Sequence, residues 1–222
     1  MKEWRRQHGA VISSFIKYLN THTDNYVLKG GTALYLCYHL DRFSEDVALD
    51  GRERILIEQV SQFCDKYDYS FRIVKDTDTV QRCMINYGNE RKPLKIEASY
   101  RKKEIRAEET ERINGILVYN IETLCVMKTS AYAGRDRIRD LYDLTFICNH
   151  YYDQLSPQSK MLIRGVVEHK GIEQYDYVIR EQTDELIDIA KLSEDFLGMY
   201  DLLGLLYNEN ERQIVNHAAE DD

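Results

Sequence analysis

Proline is nearly missing from this chain, with 2 among 222 residues, and glycine is limited to 11. A proline-rich spacer, a collagen-like repeat and a Gly/Ser tether are therefore excluded. The cysteines Cys37, Cys64, Cys83, Cys125 and Cys148 include no Cys-x-x-Cys pair, and most stand beside apolar residues. That pattern excludes zinc ribbons and disulfide frameworks, and reads as buried thiols in a reducing cytoplasm. No apolar run approaches the roughly 20 residues that span a bilayer, and no signal-type segment follows Met1 to Arg6. A cytoplasmic protein without a membrane partner is expected. Positive charge is also short, since 30 Lys and Arg against 38 Asp and Glu leave a net charge of −8. A general nucleic-acid coat needs the opposite balance. A local basic groove is still open to it, either at Arg91, Lys92, Lys95, Arg101, Lys102, Lys103 and Arg106, or at Arg135, Arg137 and Arg139.

What is present suits a globular fold: 43% hydrophobic and 31% charged residues, enough for one mid-sized domain or two small lobes. Apolar spacing predicts a helix over about 3–21, a strand at Tyr26–Leu28, a helix from Ala33 to Leu40 and a strand from Asp46 to Asp50. A helix over 52–66 follows, then strands at 69–74, 79–87, 94–100 and 116–119. From Ile121 the pattern is helical, over 122–133, 138–151, a segment opened by Ser156-Pro157, 174–190, 193–206 and 208–218. The tail from Ala218 to Asp222 is expected to be disordered. The layout is an α+β class chain with a sheet-bearing lobe over 1–120 and a helical lobe over 121–222.

Chemistry gathers at a few places. Gly30-Gly31-Thr32 stands where a strand passes into a helix, and glycines there let backbone approach a phosphate, while the helix end offers free amides. The same triplet also serves as a plain tight turn with an N-cap. One helix later comes Arg42-Phe43-Ser44-Glu45-Asp46-Val47-Ala48. Positions 46 and 48 of a strand face the same way, so carboxylates at both would hold Mg²⁺ against a triphosphate. Only Asp46 is acidic; position 48 is Ala48. Glu97, on the polar face of Leu94–Tyr100, is placed as a further carboxylate or as part of an exposed charged face. Lys128 interrupts an apolar helix, which suits an amine facing a cleft and able to neutralise phosphate. Arg139, Asp140 and Asp143 lie within about a turn, which also suits an Arg–Asp network tying two helices.

Taken in order, Leu28-Lys29-Gly30-Gly31-Thr32-Ala33-Leu34, Arg42-Phe43-Ser44-Glu45-Asp46, Lys95-Ile96-Glu97, Lys128 and Arg139-Asp140-Leu141-Tyr142-Asp143-Leu144 resemble the AbiEii/AbiGii toxin family. These are nucleotidyltransferases related to DNA-polymerase-β-like enzymes. The resemblance covers roughly residues 25 to 150. It implies a nucleotidyltransferase-type mixed sheet flanked by helices, followed by a C-terminal helical bundle. It implies transfer of a nucleotide from an NTP to a macromolecule, with tRNA as the leading acceptor, in a toxin with a cognate antitoxin and a role in phage defence. By the same resemblance Gly30, Gly31, Thr32 and Ser44 would line the nucleotide, and Asp46 would hold metal. Glu97 would complete the metal site or act as base. Lys128 would meet the triphosphate, and Asp140 and Asp143 would support the site. Two Mg²⁺ ions belong to a form with aspartate at position 48.

The departure from the family pattern Ser-x-Asp-x-Asp is Ala48, whose methyl group cannot ligate a metal. This chain is therefore expected to be weakened or inactive. Either it is a natural relative with a decayed site kept for binding nucleotide, RNA or protein, or Ala48 is an engineered Asp→Ala. The intact remainder of the motifs favours the second. A small-molecule nucleotidyltransferase acting on a cationic substrate is a third reading.

Overall fold

The computed structural model describes residues 3–88 and 92–206, and groups the chain into two compact units, Met1–Leu124 and Cys125–Asp222. Arg91, the expected helix at 208–218 and the expected disordered tail lie outside the described residues.

In the first unit, α1 (Glu3–His22) buries Val11, Ile12, Phe15, Ile16 and Leu19, the helical stripe that the sequence spells out. The strands are β1 (Tyr26–Lys29), β2 (Val47–Gly51), β3 (Ser70–Thr77), β4 (Val80–Asn86), β5 (Leu94–Ser99), β6 (Thr110–Ile113) and β7 (Ile116–Tyr119). They form one 7-stranded sheet in the order β3-β4-β5-β2-β1-β7-β6. The sheet is mixed: β2 runs parallel to β5 and β1 parallel to β7, while the other neighbours are antiparallel. Two helices complete the unit, α2 (Gly30–Cys37) and α3 (Leu56–Tyr67). In β5 the alternation is clean: Leu94, Ile96 and Ala98 are fully buried, and Lys95 and Glu97 turn to the other face.

β6 was not expected from the sequence. Its Thr-Glu-Arg-Ile run carries little β signal, but Asn114 (φ 51°) and Gly115 (φ 81°) make the tight turn that joins it to β7. Positive φ at both turn positions is what the Asn-Gly pair tolerates. The helix α2 also starts earlier than expected, at Gly30.

The described part of the second unit is helical and has no strand. The division from the first falls within α4 (Ile121–Gly134), and α5 (Ile138–Tyr151), α6 (Pro157–Glu181) and α7 (Ile189–Leu202) follow. Ser156 caps α6 through the Ser159 amide, with Pro157 in the first turn where no N–H is needed. Gly171, at φ 69°, breaks the helical path of α6. The helix expected over 174–190 stops at Glu181, because Asp184 accepts from the Leu186 amide and Asp188 caps a new helix at Ala190 and Lys191. Asn149 of α5 donates to the Asp195 carbonyl of α7, and Tyr175 of α6 stacks on Phe196 at 4.0 Å. No helix among the described residues is long and apolar enough to cross a membrane.

Candidate active site

The strand register assembles one polar row across the sheet of the first unit. Lys29 of β1 lies opposite Ala48 of β2, Ala48 beside Glu97 of β5, Glu97 beside Arg82 of β4, and Arg82 opposite Lys75 of β3. Position 48 stands in this row between Lys29 and Glu97. Asp46 stands immediately before β2 on the same side, with Asp50 two residues beyond Ala48 on that side. The strand position that lacks a carboxylate therefore has carboxylates on three sides.

Each of those carboxylates has a cation. Lys95 Nζ contacts Asp46 Oδ2, Arg82 Nε donates to Glu97 Oε2 at 2.5 Å, and Lys29 Nζ donates to Asp50 Oδ1 at 2.5 Å. Magnitude separates them. The Asp50 side chain is 5% exposed and also accepts from Tyr119 Oη at 2.9 Å. Burial, then the nearby Asp50 charge, raises the Tyr119 phenol, so it stays protonated as a donor. Removing that buried acceptor's partners costs several kcal/mol by the usual penalty for an uncompensated charge, of order 3–5. Asp46 is 46% exposed and Glu97 29% exposed. Ion pairs this open contribute only about 0–1 kcal/mol, so they are exchangeable. Asp50 is a structural anchor and Asp46 and Glu97 are the available ligands.

The glycine turn is built around the same strand. Gly30 has φ 74° and faces Ala48, whose Cβ would lie 3.6 Å from any Cβ added at Gly30. A Cβ at Gly31 would fall 2.9 Å from Arg42 Nη2 and 3.0 Å from Ser44 Oγ. Lys29 makes no side-chain cap, so the first amides of α2 are not taken by it. Thr32 is buried; its hydroxyl donates to the Asp46 carbonyl and shares a 2.8 Å hydrogen bond with Ser44 Oγ. These two side chains set the backbone that presents Asp46. His8 adds a second brace: its Nε2 donates to the Glu45 carbonyl at 2.7 Å, and its Nδ1 lies 2.5 Å from Tyr87 Oη.

Lys128, Asp140 and Asp143 come together in the second unit. Lys128 Nζ is 2.5 Å from Asp143 Oδ2 and 3.4 Å from Asp140 Oδ1, with the lysine side chain 12% exposed. Asp140 also accepts from Arg135 Nε at 2.7 Å, which raises the Arg135 guanidinium. Arg139, expected in a network with these aspartates, donates to Asp184. The arrangement joins α4 to α5 through a largely buried ion cluster.

The expected basic grooves are mostly consumed in pairs. Lys92 meets Glu45, Lys95 meets Asp46, Lys102 meets Glu109 and Arg106 meets Glu108. A different cationic strip appears instead. A bulge between Ile73 and Lys75 places both Arg72 and Lys75 on the site face of the sheet, opposite Met84 and Arg82. Beside them lies a groove of about 250 Å³ lined by Ser70, Arg72, Met84, Asn86 and Pro93. Sequence reasoning missed Arg82, Lys75 and Arg72, because only strand pairing and the bulge bring them to this face. Lys29 and Arg42 stood inside the quoted motifs without a role.

No group of three His, Cys, Asp or Glu among the described residues is placed to hold a metal. Two accessible carboxylates on one face still fit Mg²⁺, which typically takes one or two carboxylates and completes its octahedron with phosphate oxygens and water. Asp46 and Glu97 are the residues that would hold it.

Comparison with known proteins follows this geometry. The family model described as nucleotidyl transferase AbiEii toxin, type IV TA system, matches residues 17–209. Among solved structures, the chain is similar to JHP933 from Helicobacter pylori, at 28% identity and a TM-score of 0.76, with 100% of both chains covered. A candidate nucleotidyltransferase from H. pylori has 28% identity and a TM-score of 0.76, covering 96% of this chain and 99% of that one. The search of curated proteins gave no match.

Proposed function

The chain belongs to the AbiEii nucleotidyltransferase toxin family of type IV toxin–antitoxin systems, and on that premise we propose that its sheet face binds an NTP for transfer to a macromolecule. The observation that carries this is the convergence on one face of the Gly30–Gly31 turn, Asp46 and Glu97 around position 48. Gly30 and Gly31 leave room for phosphate at the uncapped start of α2, with Thr32 and Ser44 fixing the segment that carries Asp46. A bound Mg²⁺ would supply charge neutralisation of the phosphates and of the leaving pyrophosphate. Asp46 and Glu97 would orient the nucleotide through it, and Glu97 is the group on this face able to take a proton from an attacking hydroxyl. Within the second unit, Lys128 with Asp140 and Asp143 forms a buried ion cluster that holds α4 against α5.

The acceptor is an RNA, with tRNA the leading candidate. Support comes from Arg72 and Lys75, which offer phosphate-binding charge on the same face of a protein that is acidic overall. An antitoxin is the expected protein partner.

Ala48 sits where the family motif has its second aspartate, so one carboxylate is missing beside Asp46 and Glu97. Loss of one metal ligand removes several kcal/mol of transition-state stabilisation, a rate decrease on the order of 10²–10³-fold or more. The test is incorporation from each labelled NTP, with Mg²⁺ and total tRNA, by this chain and by its Ala48→Asp variant. Label in tRNA with Ala48→Asp, and little or none with Ala48, is the expected result. Silence from both sinks tRNA as the acceptor and leaves either another acceptor or a second reading, a nucleotide-binding module, which the complete pairing of the three carboxylates by cations favours.

A further inference from the structure

The three carboxylates nearest Ala48 are each paired without any added ion. Lys29, Lys95 and Arg82 meet Asp50, Asp46 and Glu97 one to one around the uncharged Ala48. Lys95 is one step before Ile96, as Asp46 is one step before Val47, and Ile96 and Val47 are register partners on parallel strands. The ammonium is therefore delivered to Asp46 by backbone register, not by a long reach. It is also open to solvent, 36% exposed against 46% for its carboxylate. Lys29 differs, because its partner Asp50 is buried and bound twice. Arg82 differs as well, since its guanidinium is held at Glu97 from the neighbouring strand.

We propose that Lys95 is the resident counter-ion of Asp46, standing where a divalent cation would stand, and that its ammonium passes to a phosphate when nucleotide binds. In this Ala48 chain nucleotide then binds without a divalent cation, and a divalent cation must compete with Lys95 for Asp46. The inference rests on the reading of this face as a nucleotide site. With aspartate at position 48 a fourth carboxylate would have no cation of its own, and binding would turn to metal.

Two measurements on the whole chain test it: calorimetric titration of each of the four NTPs in EDTA and in Mg²⁺, and Mn²⁺ binding to nucleotide-free protein by electron paramagnetic resonance. At least one NTP should bind in EDTA within about threefold of its affinity in Mg²⁺. Lys95→Gln should weaken that binding about tenfold and tighten Mn²⁺ about fivefold, the scale of one half-exposed ion pair. Lys66→Gln removes the same charge from α3, away from this face, and should change either value less than about twofold. Lys95→Met serves as a second variant if Lys95→Gln melts early. Failure of every NTP to bind in EDTA overturns the proposal. So does a change in only one of the two measurements, because the same ammonium must leave Asp46 to reach phosphate. So does an equal response to Lys66→Gln. An active Ala48→Asp enzyme with an inert Lys95→Gln would sink this inference alone. An inactive Ala48→Asp with the two expected shifts would sink transfer to tRNA and keep the counter-ion.

Discussion

At the scale of single residues, glycine positions divide into those that space requires and those that nothing requires. Gly51 closes β2 between two tyrosines: an added Cβ would lie 2.6 Å from Tyr100 Cε1 and 2.8 Å from Tyr26 Cε1. Neither ring is free to retreat, since Tyr100 Oη donates to Gln81 at 2.7 Å and the Tyr26 ring is buried. Gly51→Ala should therefore destabilise by about 1–3 kcal/mol, the usual cost of overpacking. Gly165 is the opposite case, an exposed residue inside α6 with nothing within 4 Å of an added Cβ. Gly165→Ala should stabilise by about 0.5–1 kcal/mol through lost unfolded-state freedom. Urea unfolding of the two variants beside the parent checks both signs, and a stabilised Gly51→Ala would mean the tyrosine pair is loosely held. Ala48 belongs at this scale as well: one added carboxylate there would join three that are already paired with cations.

Elements bring a different kind of dependence. α4 and α5 are tied by Lys128 against Asp143, which is fully buried, and Asp140. Asp143→Ala leaves a lysine 12% exposed with its weaker partner at 3.4 Å. A loss of about 3 kcal/mol is expected, at the low end for breaking a buried pair because Asp140 remains. The double replacement Lys128→Met with Asp143→Leu should recover most of that stability, since no charge is left unpaired. If chemical denaturation shows the double variant as unstable as the single one, the cluster is not a replaceable strut. Legibility follows the same physics. Helical and strand stripes were readable wherever one face was apolar, as in α1 and β5. β6 and the end of α6 were not, because a turn with positive φ at Asn114 and Gly115 and side-chain caps at Asp184 and Asp188 decided them. The contact of Arg139 with Asp184, 45 residues away in sequence, is likewise one that no local spacing announces.

Over the whole molecule, the five cysteines are free and buried. Burial pushes the Cys37 and Cys64 thiols up to about 12 and Cys83 up to about 11, with nearby acidic or thiol groups adding to it. A raised folded value means that the native state keeps protons that the unfolded chain gives up. The stability these thiols contribute is complete below their unfolded value, roughly 8.5, and disappears as pH rises through about 11 to 12. Urea midpoints should therefore fall steadily from pH 8 to 11. The same burial makes the native protein inert to a disulfide reagent at pH 8 and fully reactive in denaturant. Rapid modification of several native thiols at pH 8 would contradict this packing.

Sequence alone determined the order of motifs, and with it the family, because each motif is local: a glycine turn, a Ser-x-Asp strand start, a Lys-Ile-Glu strand, a lysine in an apolar helix. It also determined that position 48 carries no ligand. What only the tertiary structure decided is which charges meet there. Strand register set Lys29, Glu97 and Arg82 around Ala48, put Lys95 on Asp46, and withdrew Asp50 into a buried bond with Tyr119. Side chains on one strand announce their face by alternation, but their neighbours across the sheet come from distant segments, as for Leu28 and Val118 on adjacent strands or Tyr119 and Asp50, 69 residues apart. Backbone hydrogen bonding between distant segments makes that choice, and no local pattern encodes it.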